Sequence, residues 1–152
     1  MERMTKKTCL DIPAVLENLD RVVDFIAGFL LQNGFDQKSI AQMSIAVEEI
    51  FTNICRYAYV PESGAARIEA LMEPPERAVV RFSDSGRPFD PLAAPPPDTA
   101  LPAEQRKQGG LGIFMMRQLV SQVCYQYKDG KNILTITKQK QTEAGQHGNQ
   151  TE

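Results

Sequence analysis

The chain has 152 residues, 42% of them hydrophobic, and a net charge of −2. That is enough material for one well-filled core, and the near-neutral balance argues against a general nucleic-acid binder. No apolar run approaches the roughly 20 residues that cross a bilayer, which argues against a membrane span.

The N-terminus, MERMTKKTCLDIP, has charges but neither an apolar stretch nor a small-residue cleavage site, which argues against secretion. Residues 5–10 suit a short edge strand, and Pro13 suits the opening of a helix, where its missing N–H costs little. Leu16, Leu19, Val23, Ile26 and Leu30 then recur at helical spacing, and Asn33-Gly34 closes that helix. Asp36 is the expected N-cap of a second helix, with Ile40, Met43, Val47, Ile50 and Ile54 on its apolar face. That helix fades near Tyr59, where Pro61 and Gly64 mark a turn. ARIEALMEP and RAVVRFSDS follow as a hairpin around Pro74-Pro75. The proline-rich segment from about 90 to 108 is long for a loop in a compact domain and reads as a lid. GGLGIFMMRQLV is a glycine-opened helix, and QVCYQY and NILTITK flank a strong hairpin turn at Asp129-Gly130. The polar tail, 141–152, is expected to be disordered.

This order predicts a single domain over 1–140 and an α+β fold: a two-layer sandwich of a mixed, mostly antiparallel sheet with helices on one face. Cys9, Cys55 and Cys124 stand singly in apolar or strand-like segments without metal or disulfide spacing. They read as small buried hydrophobes in a reducing, cytoplasmic setting. The single histidine, His147, lies in the tail, which removes histidine chemistry from the folded part.

Three segments carry candidate chemistry. In VEEIFTNI, Glu49 and Asn53 are one helical turn apart, about 40° from each other in projection, while Glu48 points about 100° away from Glu49 toward solvent. The Glu49–Asn53 face, which takes in Ile45, Thr52 and Arg56, is open to two readings. It is a solvated flank with an Arg56 charge pair, or a carboxylate base beside an amide oxygen able to hold a hard cation. In DSGRPFD, Asp84 and Gly86 fit a strand-ending turn in which Gly86 supplies a positive φ. They equally fit a carboxylate that accepts from an exocyclic amine beside a glycine that lets a flat base approach. In GGLGIF, glycines stand at a helix start, where unpaired N–H groups and a partial positive charge suit phosphate. A flexible hinge with close helix packing explains them as well. The segment is neither a P-loop nor a G-x-G-x-x-G fingerprint.

E-x-x-x-N on a helix, D-x-G-x-P after a strand, a proline-rich lid and then GGLGI, in that order, resemble the GHKL (Bergerat) ATP-binding family. DSGRPFDPL, GGLGIFMMRQLV and NILTITK are most similar to its anti-sigma factor serine-protein kinases of the RsbW and SpoIIAB type, over about residues 5–140. The resemblance implies ATP and Mg²⁺ as cofactors, Asn53 as the metal ligand and Glu49 as the general base. It implies that Asp84 reads the adenine amine, with Gly86 and Pro88 shaping the base pocket. Gly109, Gly110, Leu111 and Gly112 would bring N–H groups to the phosphates, and Arg106 or Lys107 would neutralise the γ-phosphate. It further implies a kinase that phosphorylates a STAS-type antagonist, sequesters a sigma factor or similar regulator, and pairs as a homodimer, without direct contact with nucleic acid or membrane. One departure is visible: Tyr57 stands where those kinases commonly carry a histidine. The competing expectation is an ATP-gated partner-binding module without phosphotransfer. Retention of Glu49 favours the kinase, because binding alone requires no base. A sensor histidine kinase fits less well, since no phosphoacceptor-histidine helix pair is present in the sequence.

Overall fold

In the computed structural model the described residues are 7–93 and 110–141. Five strands form one sheet: β1 (Thr8–Pro13), β2 (Ala65–Glu73), β3 (Arg77–Asp84), β4 (Gln122–Lys128) and β5 (Lys131–Gln139), in the spatial order β1-β2-β3-β5-β4. Every described pairing is antiparallel, so the sheet expected to be mixed has no parallel member among the described strands. Three helices, α1 (Leu19–Gln32), α2 (Gln37–Asn53) and α3 (Gly110–Leu119), pack on it. The α+β, two-layer expectation holds. Among the described residues no helix is long and apolar enough to cross a membrane.

Alternation along the strands explains which face is covered. Ile68, Ala70, Val80, Phe82, Leu134 and Ile136 point inward and are buried. They meet Val22, Ile26, Phe29 and Leu30 of α1 and Met43, Val47, Ile50 and Phe51 of α2. The same alternation overturns part of the cysteine reading. Cys9 alternates with inward Leu10 and Ile12, and Cys124 with Tyr125, so both thiols are exposed; only Cys55 is half-buried.

Two further boundaries differ from expectation. Pro13 ends β1 instead of opening a helix: it pairs with Ala65, and on an edge strand its missing N–H is harmless. Leu16 therefore falls in a 3₁₀ turn (Leu16–Asn18) and is 50% exposed, while Val22 and Phe29 complete the buried stripe of α1. The cap signals are as expected. Gly34 has φ 84°, and the Phe35 and Gly34 N–H groups return to Leu30 O and Leu31 O in a Schellman motif. The Asp36 carboxylate accepts from Ser39 N at 2.8 Å, a bond that holds its pKa below the usual value. Asp129 (φ 55°) and Gly130 (φ 77°) make the β4–β5 turn with two left-handed residues, as a type I′ hairpin requires.

Candidate nucleotide site

At the end of the α2 layer that faces the last residues of β3, the chain leaves a partly open cleft. Its apolar walls come from Ile50, Ile54 and Ala58 on one side and Phe82, Leu134 and Ile113 on the other. Asn53, Asp84, Asn132 and Tyr125 are its polar groups, and Phe89 and Pro91 close one rim. A mostly apolar slot with a few convergent polar atoms suits a flat heterocycle carrying polar substituents.

The α2 end of the cleft depends on a break in helical geometry. After Asn53 the chain continues as one π-helical turn, Ile54–Ala58, a deviation often found at functional sites. Its carbonyls are taken up by the loop after β3. Arg87 N–H donates to Ala58 O at 3.0 Å, and Arg87 Nε donates to Tyr57 O at 3.0 Å. Gly86 lies so close to the Ala58 carbonyl that a Cβ would overlap it. Gly86 is therefore glycine for close approach of two backbones, and its φ is not in the left-handed region, contrary to the turn expectation. Tyr59 stitches the same corner. Its hydroxyl donates to Ala65 O at 2.6 Å and accepts from Ser85 N at 2.8 Å. Tyr57 stacks on Phe89 with ring centroids 5.3 Å apart, so the departure at this position supplies an aromatic contact at the rim.

Asp84 ends β3 and is 7% exposed. Its Oδ1 accepts from Gly86 N at 2.9 Å and from Asn132 Nδ2 at 2.9 Å. Glu48 is exposed, whereas Glu49 is half-buried, so the two glutamates separate as their angular positions demand. Asn53, 6% exposed, donates Nδ2 to Glu49 Oε2 at 3.1 Å. This leaves Asn53 Oδ1, a hard oxygen donor, available to a cation such as Mg²⁺. Among the described residues no group of three or more His, Cys, Asp or Glu side chains is placed to hold a metal, so a cation at Asn53 would draw its other ligands from phosphate and water. Arg56 forms no ion pair with Glu49 among the described residues, which removes the charge-pair account of this face.

Burial raises the Glu49 pKa above the ordinary value of 4.5, against the lowering influence of the Asn53 bond and the more distant Arg56 charge. Gly112, in the first turn of α3, has its Cα directly over this carboxylate, and a Cβ there would collide with Oε1, Cδ and Oε2. The start of α3 is thus seated on Glu49, where helix N–H groups and a negative charge suit each other.

Asn53 and Asp84 therefore share one cleft, with Glu49 joined to Asn53 and covered by Gly112. Gly110 is the first residue of α3 and Leu111 the second. Pro88 is exposed beside Arg87. Gly109, Arg106 and Lys107, with most of the expected lid and the tail from 142, lie outside the described residues. Sequence reasoning missed Asn132, Tyr125 and Arg87. Asn132 had a usable signal: as the first position after the Asp-Gly turn and its Lys131, it must pair across the sheet with the end of β3, and its register partner is Asp84.

Comparison with known proteins identifies the family. Residues 12–138 match the family described as "Histidine kinase-like ATPase domain". A protein named serine-protein kinase RsbW from Listeria monocytogenes serovar 1/2a is 31% identical over 139 residues, covering 88% of this chain and 88% of its own. Serine/threonine-protein kinase BtrW from Bordetella bronchiseptica is 30% identical over 95 residues, covering 62% of this chain and 67% of its own. A solved structure of RsbU and RsbW domains from Mycobacterium tuberculosis superimposes with a TM-score of 0.64 at 18% identity, over 89% of this chain and 32% of that one. With 127 of its residues matched by the family and near-full-length likeness to RsbW, the chain belongs to the histidine kinase-like ATPase domain family, in the group of RsbW-type serine-protein kinases.

Proposed function

We propose that the chain is an anti-sigma-factor-type protein kinase. In this reading it transfers the γ-phosphoryl group of ATP to a serine or threonine of a STAS-type antagonist, and holds a sigma factor or similar regulator when that antagonist is unavailable. The observation that carries the reading is the half-buried Glu49 carboxylate, joined to Asn53 at the edge of a cleft whose other polar wall is Asp84. Nucleotide binding alone gives no reason to desolvate a carboxylate there. A general base near the acceptor hydroxyl does. A homodimer working in the cytoplasm completes the proposal.

The parts take distinct roles. Asp84 would accept from the adenine amine, and the apolar walls would hold the ring. Asn53 Oδ1 would hold Mg²⁺, which when bound neutralises charge on the phosphate oxygens. The Glu49 carboxylate, held at Oε2 by Asn53 Nδ2, would take the proton from the attacking hydroxyl. Burial makes that carboxylate a stronger base than an exposed glutamate. Gly112, lacking a Cβ, leaves room for the carboxylate beneath the start of α3, whose N–H groups would meet the phosphates. Arg106 and Lys107 remain the candidates for the γ-phosphate.

The test is incubation with ATP and Mg²⁺ together with STAS-domain and sigma-factor proteins encoded nearby, followed by mass spectrometry for a transferred phosphate on serine or threonine. A phosphorylated STAS protein supports the kinase. A nucleotide-dependent complex without any transferred phosphate supports an ATP-gated binding module instead.

A further inference from the structure

Asn132, the first residue of NILTITK, carries none of the roles assigned above, yet it is 7% exposed and uses every hydrogen-bonding capacity of its side chain. The orientation of its amide follows from its neighbours. Phe89 N–H, at 3.0 Å, can only donate, so the atom that faces it is Oδ1. The Tyr125 hydroxyl donates to the same oxygen. Nδ2 must then face Asp84, and its protons go to Asp84 Oδ1 at 2.9 Å and Arg87 O at 2.8 Å, with Gly86 O at 3.5 Å. A flipped amide would set oxygen against carboxylate and N–H against N–H.

The consequence falls on Asp84. With Gly86 N–H also on Oδ1, one carboxylate oxygen is saturated by two donors from the chain. Oδ2 takes part in no hydrogen bond among the described residues, and Asp84 lines the cleft. An acceptor held in this way matches a ligand N–H and opposes a ligand carbonyl, because the wrong partner leaves a buried acceptor unpaired.

We propose that Asn132 is a positioning residue that sets base specificity: its Nδ2 donates to Asp84 Oδ1 and holds the carboxylate so that Asp84 Oδ2 accepts from a 6-amino purine and rejects a 6-oxo purine. This rests on the reading of Asp84 as the group that meets the base. Tyr125 acts one step further out, fixing the amide from β4. The same amide also ties Asp84 to the backbone of Arg87 and Phe89, so base recognition and the rim of the cleft share one side chain.

The test is calorimetric titration of the whole chain with ATP and with ITP, in which an oxo group replaces the 6-amino group and N1 carries a proton. The wild type is expected to bind ATP at least about 100-fold more tightly than ITP. Asn132→Leu removes the whole network, and the ATP/ITP ratio should fall about tenfold, with ATP affected far more than ITP. Tyr125→Phe keeps the amide and the packing and should lower the ratio about threefold. If Asn132→Leu fails to fold, Tyr125→Phe decides alone. A wild type that does not distinguish ATP from ITP overturns the reading of Asp84 itself, and with it this role for Asn132. A discriminating wild type whose ratio is unchanged in the variants, or variants that weaken both nucleotides by the same factor, overturns the role of Asn132 alone.

Discussion

Replacing Glu49 by glutamine isolates chemistry from architecture. Glutamine has the same length and volume, fits under Gly112, and still offers a side-chain oxygen to Asn53 Nδ2, so the hydrogen bond at 3.1 Å survives. What disappears is the proton acceptor. A positioned base is worth about 10²- to 10⁴-fold, so transfer to the protein substrate should fall by that factor, an added barrier of roughly 3 to 5 kcal/mol. Affinity for ATP should stay within about threefold, because Asp84, Asn53 and the apolar walls are untouched. Stability should not fall. The Glu49 pKa is raised by burial, so the ionised group opposes folding at neutral pH, and a neutral amide relieves that cost. The assays are single-turnover phosphate transfer from labelled ATP, calorimetry of ATP binding, and thermal melting. Transfer at the wild-type rate would show that Glu49 is not the base. A loss of transfer that merely tracks lost ATP affinity would refute the separation of the two.

Other perturbations read different parts of the site. If Glu49 is the proposed base, transfer should weaken as pH falls, with an acid limb centred above the ordinary glutamate value of 4.5, because a base acts in its deprotonated form; a limb at or below that value contradicts the assignment. The same raised pKa makes Glu49's contribution to stability fullest below its unfolded pKa and diminished as pH rises through the folded pKa, a dependence that Glu49→Gln should abolish in pH-dependent melting. Asn53→Ala should remove the Mg²⁺-dependent part of ATP affinity while leaving the metal-free part, which calorimetry with and without Mg²⁺ separates. Gly112→Ala would gain up to about 1 kcal/mol at an open helix position, yet here the new Cβ meets the Glu49 carboxylate and a net loss of about 1 to 3 kcal/mol is expected in urea unfolding. Adding Glu49→Ala to that variant should recover much of the loss, and full additivity of the two changes would show that they do not touch.

The elements with strong periodicity and clear punctuation were legible from residues alone. Asp36, Asn33-Gly34 and Asp129-Gly130 carry their own backbone instructions, and each does in the structure what its chemistry dictates. The separation of Glu48 from Glu49 was also legible, since helical angle alone sends them to different environments. The cysteines were not: apolar neighbours suggested burial, but strand parity put Cys9 and Cys124 on the uncovered face. Pro13 misled because its local chemistry fits a helix start and an edge strand equally, and only pairing with Ala65 chose between them.

The order of the three boxes in one chain pointed to a nucleotide site, and local propensity set most of the elements that carry them. The tertiary structure decided how those boxes meet. The closeness of Gly112 to Glu49, of Gly86 to Ala58, and of Asn132 to Asp84 depends on contacts between segments distant in sequence. Such contacts leave little local trace, because glycine at a turn and glycine beneath another backbone are the same letter. Asn132 shows the limit most clearly. One amide among polar residues after a turn becomes, once β5 pairs with β3, the group on which the carboxylate of Asp84 is held.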